Sequence, residues 1–369
     1  GTQSSTGGGL TINGNITNYS AGPLDLTNGA SGDLVVNGVI SGSQGITLGN
    51  SSTGKIILTA ANTHAGGTTI RSTSTGEIRY SNSASFGSGA ITSSGAGTTN
   101  YIRALANNLD LPNDISIDAS NTLQLGATNT GWKATYSGLI SGPGTILYSY
   151  SGFVGLHGTN SSFGGGYVMG SSGRSDLAKI GMAGQNSSIG TNGVITAGLI
   201  TTPSSKPTIR WVGTGDDTSD KVINIGNASG GLQLETMGDG NLTLNGNINP
   251  SGLGGPKTIF VYPYTNSSMV VNGVTNIVTN TLSLNGVISD GTPGYVVNDA
   301  SISSGAVVTT NVVGGVTNKT TNFLGVGTIT LASVAGVSSG ASISGGNCIA
   351  PGTTIIAVDT ATKVITLSQ

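Results

Sequence analysis

The sequence predicts an all-β chain: a β-solenoid over residues 1–307, followed by a small C-terminal β-domain or assembly segment at 308–369. Three observations carry this reading. Ala, Leu, Glu, Lys and Arg dominate no window of a dozen residues, so the 3.6-residue periodicity of helices is missing. Short runs of alternating or β-branched apolar residues recur, each closed by Gly or Asn-Gly. A block of roughly a hundred residues occurs twice, the mark of a stacked architecture.

In chain order, the strand-and-corner template appears as "LTINGNI" (10–16), "LVVNGVI" (34–40), "LTLNGNI" (242–248), "MVVNGVT" (269–275) and "LSLNGVI" (282–288), with "TYSGLI" (135–140) as a variant. Each reads as strand, Asn-Gly corner, strand; Asn and Gly tolerate left-handed backbone angles and so suit corners. Asn-Gly is also a strong hairpin signal. Many coils of similar length in succession favour the solenoid. "NYIRALANNLDL" (100–111) is the nearest approach to a helical turn, but Asn107-Asn108 reads as a bend. At about 20 to 25 residues per coil, the first 290 residues would make roughly a dozen coils.

The larger duplication places "NTHAGGTTI" (62–70) on "NSSFGGGYV" (160–168), an offset of 98, with Asn62 on Asn160. "NGVISGSQGITL" (37–48) returns as "SGLISGPGTILY" (137–148), an offset of 100, and "FGSGAIT" (86–92) is echoed by "IGTNGVIT" (189–196). One coil cannot bury its inward face alone; stacking buries it and pairs its backbone with the coils above and below. Asn, Ser and Thr then make a neutral hydrated wall, and Asn ladders add hydrogen bonds between rungs.

Composition narrows the function classes. Only 8% of residues are charged and the formal net charge is −2, too little to build a phosphate-binding face, so nucleic acid is not an expected partner. Gly supplies 63 of 369 residues, yet 36% are hydrophobic and grouped in short runs, which argues for order. The single Cys348 excludes a disulfide within the chain. No stretch is apolar enough for a transmembrane helix, so membrane insertion is not expected. The opening "GTQSSTGGG" fits a mature chain whose signal peptide has been removed, or a cut chain.

The segments "NTHAGGTTI", "FGSGAI" (86–91) and "YSGLISGPGTI" (136–146), in that order, resemble the autotransporter-associated β-strand repeat, over about residues 10 to 290. "DKVINIGNASGGLQLETMGDGNLTLNGNI" (220–248) resembles the coils that often follow such repeats. The resemblance implies a secreted right-handed parallel β-helix displayed at a bacterial cell surface, a scaffold without an active site. A departure is that the sequence has no translocator barrel, which fits a cleaved passenger or a chain that reaches the surface another way. The stretch from Gly325, with "GTITLASVAGV", "IAPGTTI" and "KVITLS", resembles a small β-module of phage and bacterial surface proteins, a candidate solenoid cap.

Candidate chemistry is thin. His64 and His157 read as surface or corner residues, because a metal site needs more converging ligands. Asp216, Asp217, Asp220 and Asp239 sit in acidic turns that lack calcium-loop spacing and read as exposed loops. Asp110, Asp114 and Asp118 near Arg103, with Glu77 and Arg79 elsewhere, are the only candidates for a paired-carboxylate site; Asp114 and Asp118 flank "ISI" and could face one side. Sequons at Asn15, Asn18, Asn50, Asn160, Asn186, Asn227, Asn241, Asn266 and Asn318 arise by composition. Aromatic clusters at "FVYPY" (260–264) and "YSYSGF" (148–153) read as packing, with a sugar- or partner-binding patch as the alternative. No catalytic, cofactor or metal residue is therefore assigned. The expectation is an extracellular structural protein that is not an enzyme and self-associates head to tail into a filament, sheath or layer. A monomeric adhesin passenger with cell-surface or glycan ligands, and a carbohydrate-active β-helix, are the alternatives.

Overall fold

The computed structural model describes residues 2–3, 8–72, 75–95, 97–148, 152–170, 173–198, 206–226, 231–250, 259–263, 269–271, 274–276, 282–286, 309–310, 319–320, 328–330, 339–340, 354–362 and 364–368. The chain is all-β, a parallel β-solenoid of about nine turns with a small antiparallel sheet near the C-terminus. It divides into two units, Gly1–Lys179 with Gly184–Thr196, and Ile180–Ala183 with Ala197–Gln369. Cys348 lies outside the described residues.

In the first unit, the coils up to Ile140–Ser141 contribute a strand to each of two long parallel sheets, and the later ones continue the second. One face stacks Leu24–Asn28, Ile46–Asn50, Thr68–Ser72, Ile91–Ser94, Ile115–Ile117 and Ile140–Ser141. A second stacks Leu10–Ile12, Leu34–Val36, Ile56–Leu58, Ile78–Tyr80, Thr99–Ala104, Thr122–Ala127, Thr145–Tyr148 and Tyr167–Met169. From residue 109 a third face develops, with Leu109–Leu111, Lys133–Tyr136, Phe153–Leu156 and Arg174–Leu177. Leu34 pairs with Ile56 and Ile56 with Ile78, so the two coils are of equal length. Side chains alternate across a strand, so one residue in two faces inward; Leu34, Ile56, Ile78, Ile102 and Leu125 form one such inward column, each at most 2% exposed. Size is balanced along the stack: Tyr80 is followed in its column by Ala104 and Ala127, and its ring meets Phe86 edge-on at 5.5 Å between centroids.

The Asn-Gly corners work differently from the expectation. None of the described corner residues, Asn13-Gly14, Asn37-Gly38, Asn245-Gly246 and Asn285-Gly286, has positive φ. Glycine is there because the corners lie on one another: a Cβ on Gly38 would stand 1.9 Å from the Gly14 carbonyl oxygen, and one on Gly286 1.9 Å from that of Gly246. The Asn side chains form the expected ladder, Asn37 Nδ2 donating to Asn13 Oδ1 at 2.8 Å and Asn285 Nδ2 to Asn245 Oδ1 at 3.0 Å. Among the described non-glycine residues, positive φ occurs at Asn108 (58°), the bend inferred from "ANN", and at Ser120 (60°).

Two hydrogen bonds recur between the copies of the duplicated block, with donors offset by 100, as expected, and acceptors offset by 99 where 98 was expected, although Ile46–Asn50 lies on the first face and Thr145–Tyr148 on the second. The Ile40 N–H donates to Asn62 Oδ1 and the Ile140 N–H to Ser161 Oγ; the Ile46 N–H donates to Gly67 O and the Ile146 N–H to Gly166 O. Asn62 therefore matches Ser161, not Asn160. His64 matches Phe163, and Gly87 and Gly190 both adopt φ of 71°.

In the second unit, Thr208–Trp211, Leu232–Thr236 and Ile259–Pro263 stack in parallel, as do Asp217–Ser219, Leu242–Leu244 and Leu282–Leu284. The coil between Leu242 and its partner Leu282 is much longer than those of the first unit. It contains an excursion: Met269–Val271 and Val274–Asn276, which flank the Asn-Gly of the "MVVNGVT" template, pair antiparallel as a hairpin. The solenoid has about nine turns where a dozen were expected. Parallel pairing continues to Thr309–Thr310, onto which Lys319–Thr320 adds antiparallel. Thr328–Thr330, Val364–Leu367 and Ile355–Asp359 form the terminal antiparallel sheet, with the "GTITL" and "KVITLS" strands paired.

Candidate functional site

The third face of the first unit gathers more chemistry than any segment of the sequence suggests. Asp110, Thr135, Gly155 and Asp176 stand in one outward column, and Lys133, Phe153 and Arg174 in the next. Lys133 reaches across two rungs to place Nζ 3.0 Å from Asp176 Oδ2, and Arg174 Nε donates to Asp176 Oδ1 at 2.8 Å. Gly155 makes this crossing possible: a Cβ there would lie 3.0 Å from Lys133 Cε, 3.1 Å from His157 Nε2 and 3.2 Å from Thr135 Oγ1. The Arg174 guanidinium also covers the Phe153 ring at 4.0 Å. Burial lowers the pKa of His157 and Lys133 lowers it further, against the opposing pull of Asp176 and Asp110. Asp110 Oδ2 accepts from Ser137 Oγ at 2.7 Å, while Asp110 Oδ1 and His157 Nε2 are closed off from solvent without a partner among the described residues. Two cations, Lys133 and Arg174, thus meet Asp176 beside the His157 imidazole, whose Nε2 lies over Gly155. Chemically this is a brace across three rungs.

The other candidates resolve in the same direction. Glu77, Arg79 and Arg103, read as separate in sequence, meet on the second face: Glu77 Oε1 accepts from Arg103 Nε and Oε2 from Arg79 Nε, both at 2.7 Å, and Arg103 continues to Gln124 Oε1 at 2.7 Å. Arg103 is thus committed to Glu77 and Gln124. The three aspartates part company: Asp110 belongs to the third-face brace, Asp114 Oδ1 accepts the Leu139 N–H at 2.9 Å, and Asp118 is exposed. Asp114 and Asp118 do lie on the outward side of Ile115–Ile117. Four residues of extended chain separate them by about 13 Å, beyond the carboxylate gaps that glycoside hydrolysis uses. The acidic turns are staples: Asp217 accepts from the Ile180 and Gly181 N–H groups at 2.7 and 3.3 Å, Asp220 from Ala183 at 2.6 Å, Asp239 from Gly215 at 2.6 Å and Asp216 from Asn241 at 2.8 Å.

His64 corrects the surface reading. It is fully buried, its Nε2 3.0 Å from Thr68 Oγ1. That hydroxyl donates its proton to Phe86 O, which leaves its lone pairs to accept from His64 Nε2; Nδ1 has no hydrogen-bond partner among the described residues. Burial lowers its pKa. The sequons at Asn18 and Asn50 are buried too. Each closes a corner, Asn18 Nδ2 donating to Gly22 O at 3.0 Å and Asn50 Nδ2 to Gly54 O at 2.6 Å, while Asn50 Oδ1 accepts the Ser52 N–H at 3.1 Å; Asn28 does the same with Gly32 and Ala30. Asn227, Asn266 and Asn318 fall outside the described residues. The aromatic cluster at 148–153 divides, Tyr148 buried in the core and Phe153 outward under Arg174; in the second unit Lys206 Nζ lies 4.1 Å from the centre of the Phe260 ring.

What sequence reading missed is the third-face brace. The only signal for it is coil register: Lys133 and Asp176 converge because the pairing carries Lys133 onto Phe153 and Phe153 onto Arg174, two residues from the aspartate. No helix of the described residues is long and apolar enough to cross a membrane. No protein-family model, curated protein or solved structure matches the chain.

Proposed function

We propose that the protein is an extracellular structural subunit, a β-solenoid of a bacterial cell surface that associates rung to rung into a filament, sheath or layer, without a catalytic role. The observation that carries this reading is where the reactive side chains go. Most of the described carboxylates, with many amides and guanidinium groups, hold one coil to the next through backbone staples, Asn ladders and braces. What remains outward is a wall of small neutral polar residues with little net charge, so that copies repel little. The low charge and the single cysteine also suit a secreted protein.

Self-association is supported by the Leu10–Ile12 strand, which stands at the edge of its sheet among the described residues. Leu10 is 43% exposed, against 2% for Leu34 above it in the same column. Leu10 N and Ile12 O bond to the next rung. In a parallel strand the alternate residue points its N–H and C=O the other way, so Thr11 offers its pair to an incoming strand. Such an edge with a fixed rise favours an open, head-to-tail assembly.

Sedimentation and negative-stain imaging of the purified chain test the reading. Elongated oligomers that grow with concentration are expected, reduced by Thr11→Pro, which removes the outward N–H while leaving the bonds of Leu10 and Ile12 in place. A chain that stays monomeric at hundreds of micromolar, or oligomers indifferent to Thr11→Pro, would refute it.

A further inference from the structure

Two segments nearly identical in sequence, "LTINGNI" (10–16) and "LTLNGNI" (242–248), place an Asn-Gly corner in contrasting surroundings. The amides match. Asn13 and Asn245 are both exposed, and each Oδ1 accepts from the asparagine of the next corner, Asn37 Nδ2 at 2.8 Å and Asn285 Nδ2 at 3.0 Å. The glycines do not match. Gly14 is exposed and, among the described residues, has nothing within 4 Å of where a Cβ would stand. Gly246 is buried, and a Cβ there would strike the Lys221 carbonyl oxygen. The other described Asn-Gly pairs are held as well. Gly38 and Gly286 are buried against the corner before them, and the Gly38 N–H bonds to Ile12 O at 3.3 Å. Asn28 is fully buried, with both amide atoms bonded. Asn192 Nδ2 donates to Gly164 O at 3.0 Å and its Oδ1 accepts the Val194 N–H at 2.8 Å. Asn272-Gly273 lies outside the described residues.

We propose that Asn13 is a site of spontaneous covalent modification, deamidating to aspartate and isoaspartate with the Gly14 nitrogen as nucleophile, while the covered corners stay intact. The Gly14 nitrogen, once base removes its proton, adds to Asn13 Cγ. The Cγ–Nδ2 bond then breaks, and ammonia leaves with a proton from water. Water opens the cyclic imide at either carbonyl, so water is the only co-reactant. The addition requires the peptide unit after the asparagine to turn towards the side chain, which glycine permits when no neighbour pins it. The Asn37 Nδ2–H sits on the oxygen that takes up negative charge during the addition. Asn13 Nδ2, the departing group, has no partner among the described residues to retain it. The product places a carboxylate beside the edge strand Leu10–Ile12. The inference is independent of self-association, because the reaction belongs to the single chain.

Peptide mapping by mass spectrometry tests it, on the full chain incubated dilute in mildly alkaline buffer, both folded and unfolded in guanidinium. In the folded chain Asn13 is expected to convert at least about tenfold faster than Asn245. In the unfolded chain the two near-identical segments should react alike. Gly14→Val, which fills open space and shields the nitrogen, should slow conversion of Asn13 at least about tenfold with circular dichroism unchanged. Equal folded rates at Asn13 and Asn245, a difference that persists on unfolding, or conversion indifferent to Gly14→Val would overturn the proposal.

Discussion

His64 and Phe163 occupy the same place in two copies of one block, and both are fully buried. In the first copy the neighbour four residues on is Thr68, hydrogen-bonded to the imidazole; in the second it is Tyr167. The core position therefore accepts either a polar pair or an aromatic pair, provided the space is filled. The polar version carries a liability. Burial holds the His64 pKa below its ordinary value, so the folded chain keeps the ring neutral while the unfolded chain takes up a proton near pH 6.5. Its contribution is intact above that pH and is lost as pH falls towards the lowered folded value, by up to about 1.4 kcal/mol per pH unit. His64→Phe, which copies the second block, should reduce the loss of melting temperature between pH 7 and pH 5. His157, shifted the same way, should keep part of it. Equal pH dependence in variant and wild type would contradict this account. Nothing in the local sequence "NTHAGG" marks the histidine as inward. Only the register between the two copies does, and an ungapped alignment at 98 puts the wrong residues together.

At the level of the element, the strand-and-corner template was legible as strands, because alternation and β-branching are local signals. The reason for its glycine was not. Gly38 has ordinary backbone angles and is required by the coil beneath it, a contact that spans one whole coil of sequence. Gly14, in the first corner, has nothing within 4 Å of where a Cβ would be. The two glycines thus separate conformational from packing causes. Gly14→Ala should change stability by less than about 0.5 kcal/mol, whereas Gly38→Ala should cost about 2–4 kcal/mol through forced separation of the corners. Denaturant titration of both variants checks this, and equal effects would argue against close stacking. The same template at 269–275 pairs as a hairpin. Asn-Gly chemistry permits both outcomes, and the choice depends on whether a neighbouring corner is there to receive the asparagine, which the segment itself does not encode. The third-face brace was illegible for a related reason. Lys133 and Asp176 lie two coils apart in the chain and meet only because Gly155 leaves the path between them open.

For the whole molecule, the central claim is that coils pile in fixed parallel register, so that the side chains with chemistry serve the pile. Asp25, Thr47, Thr69, Thr92, Ser116 and Ser141 form one outward column of the first face. With strands about 4.8 Å apart, positions three rungs away are separated by about 14 Å and positions five rungs away by about 24 Å. Spin labels at Asp25 and Thr92, and at Asp25 and Ser141, in a Cys348→Ser background, measure those separations by electron double resonance. Two narrow distributions are the predicted result, their means differing by the rise of two further rungs. Equal means, or a longer separation for Asp25 and Thr92 than for Asp25 and Ser141, would contradict the stacked register.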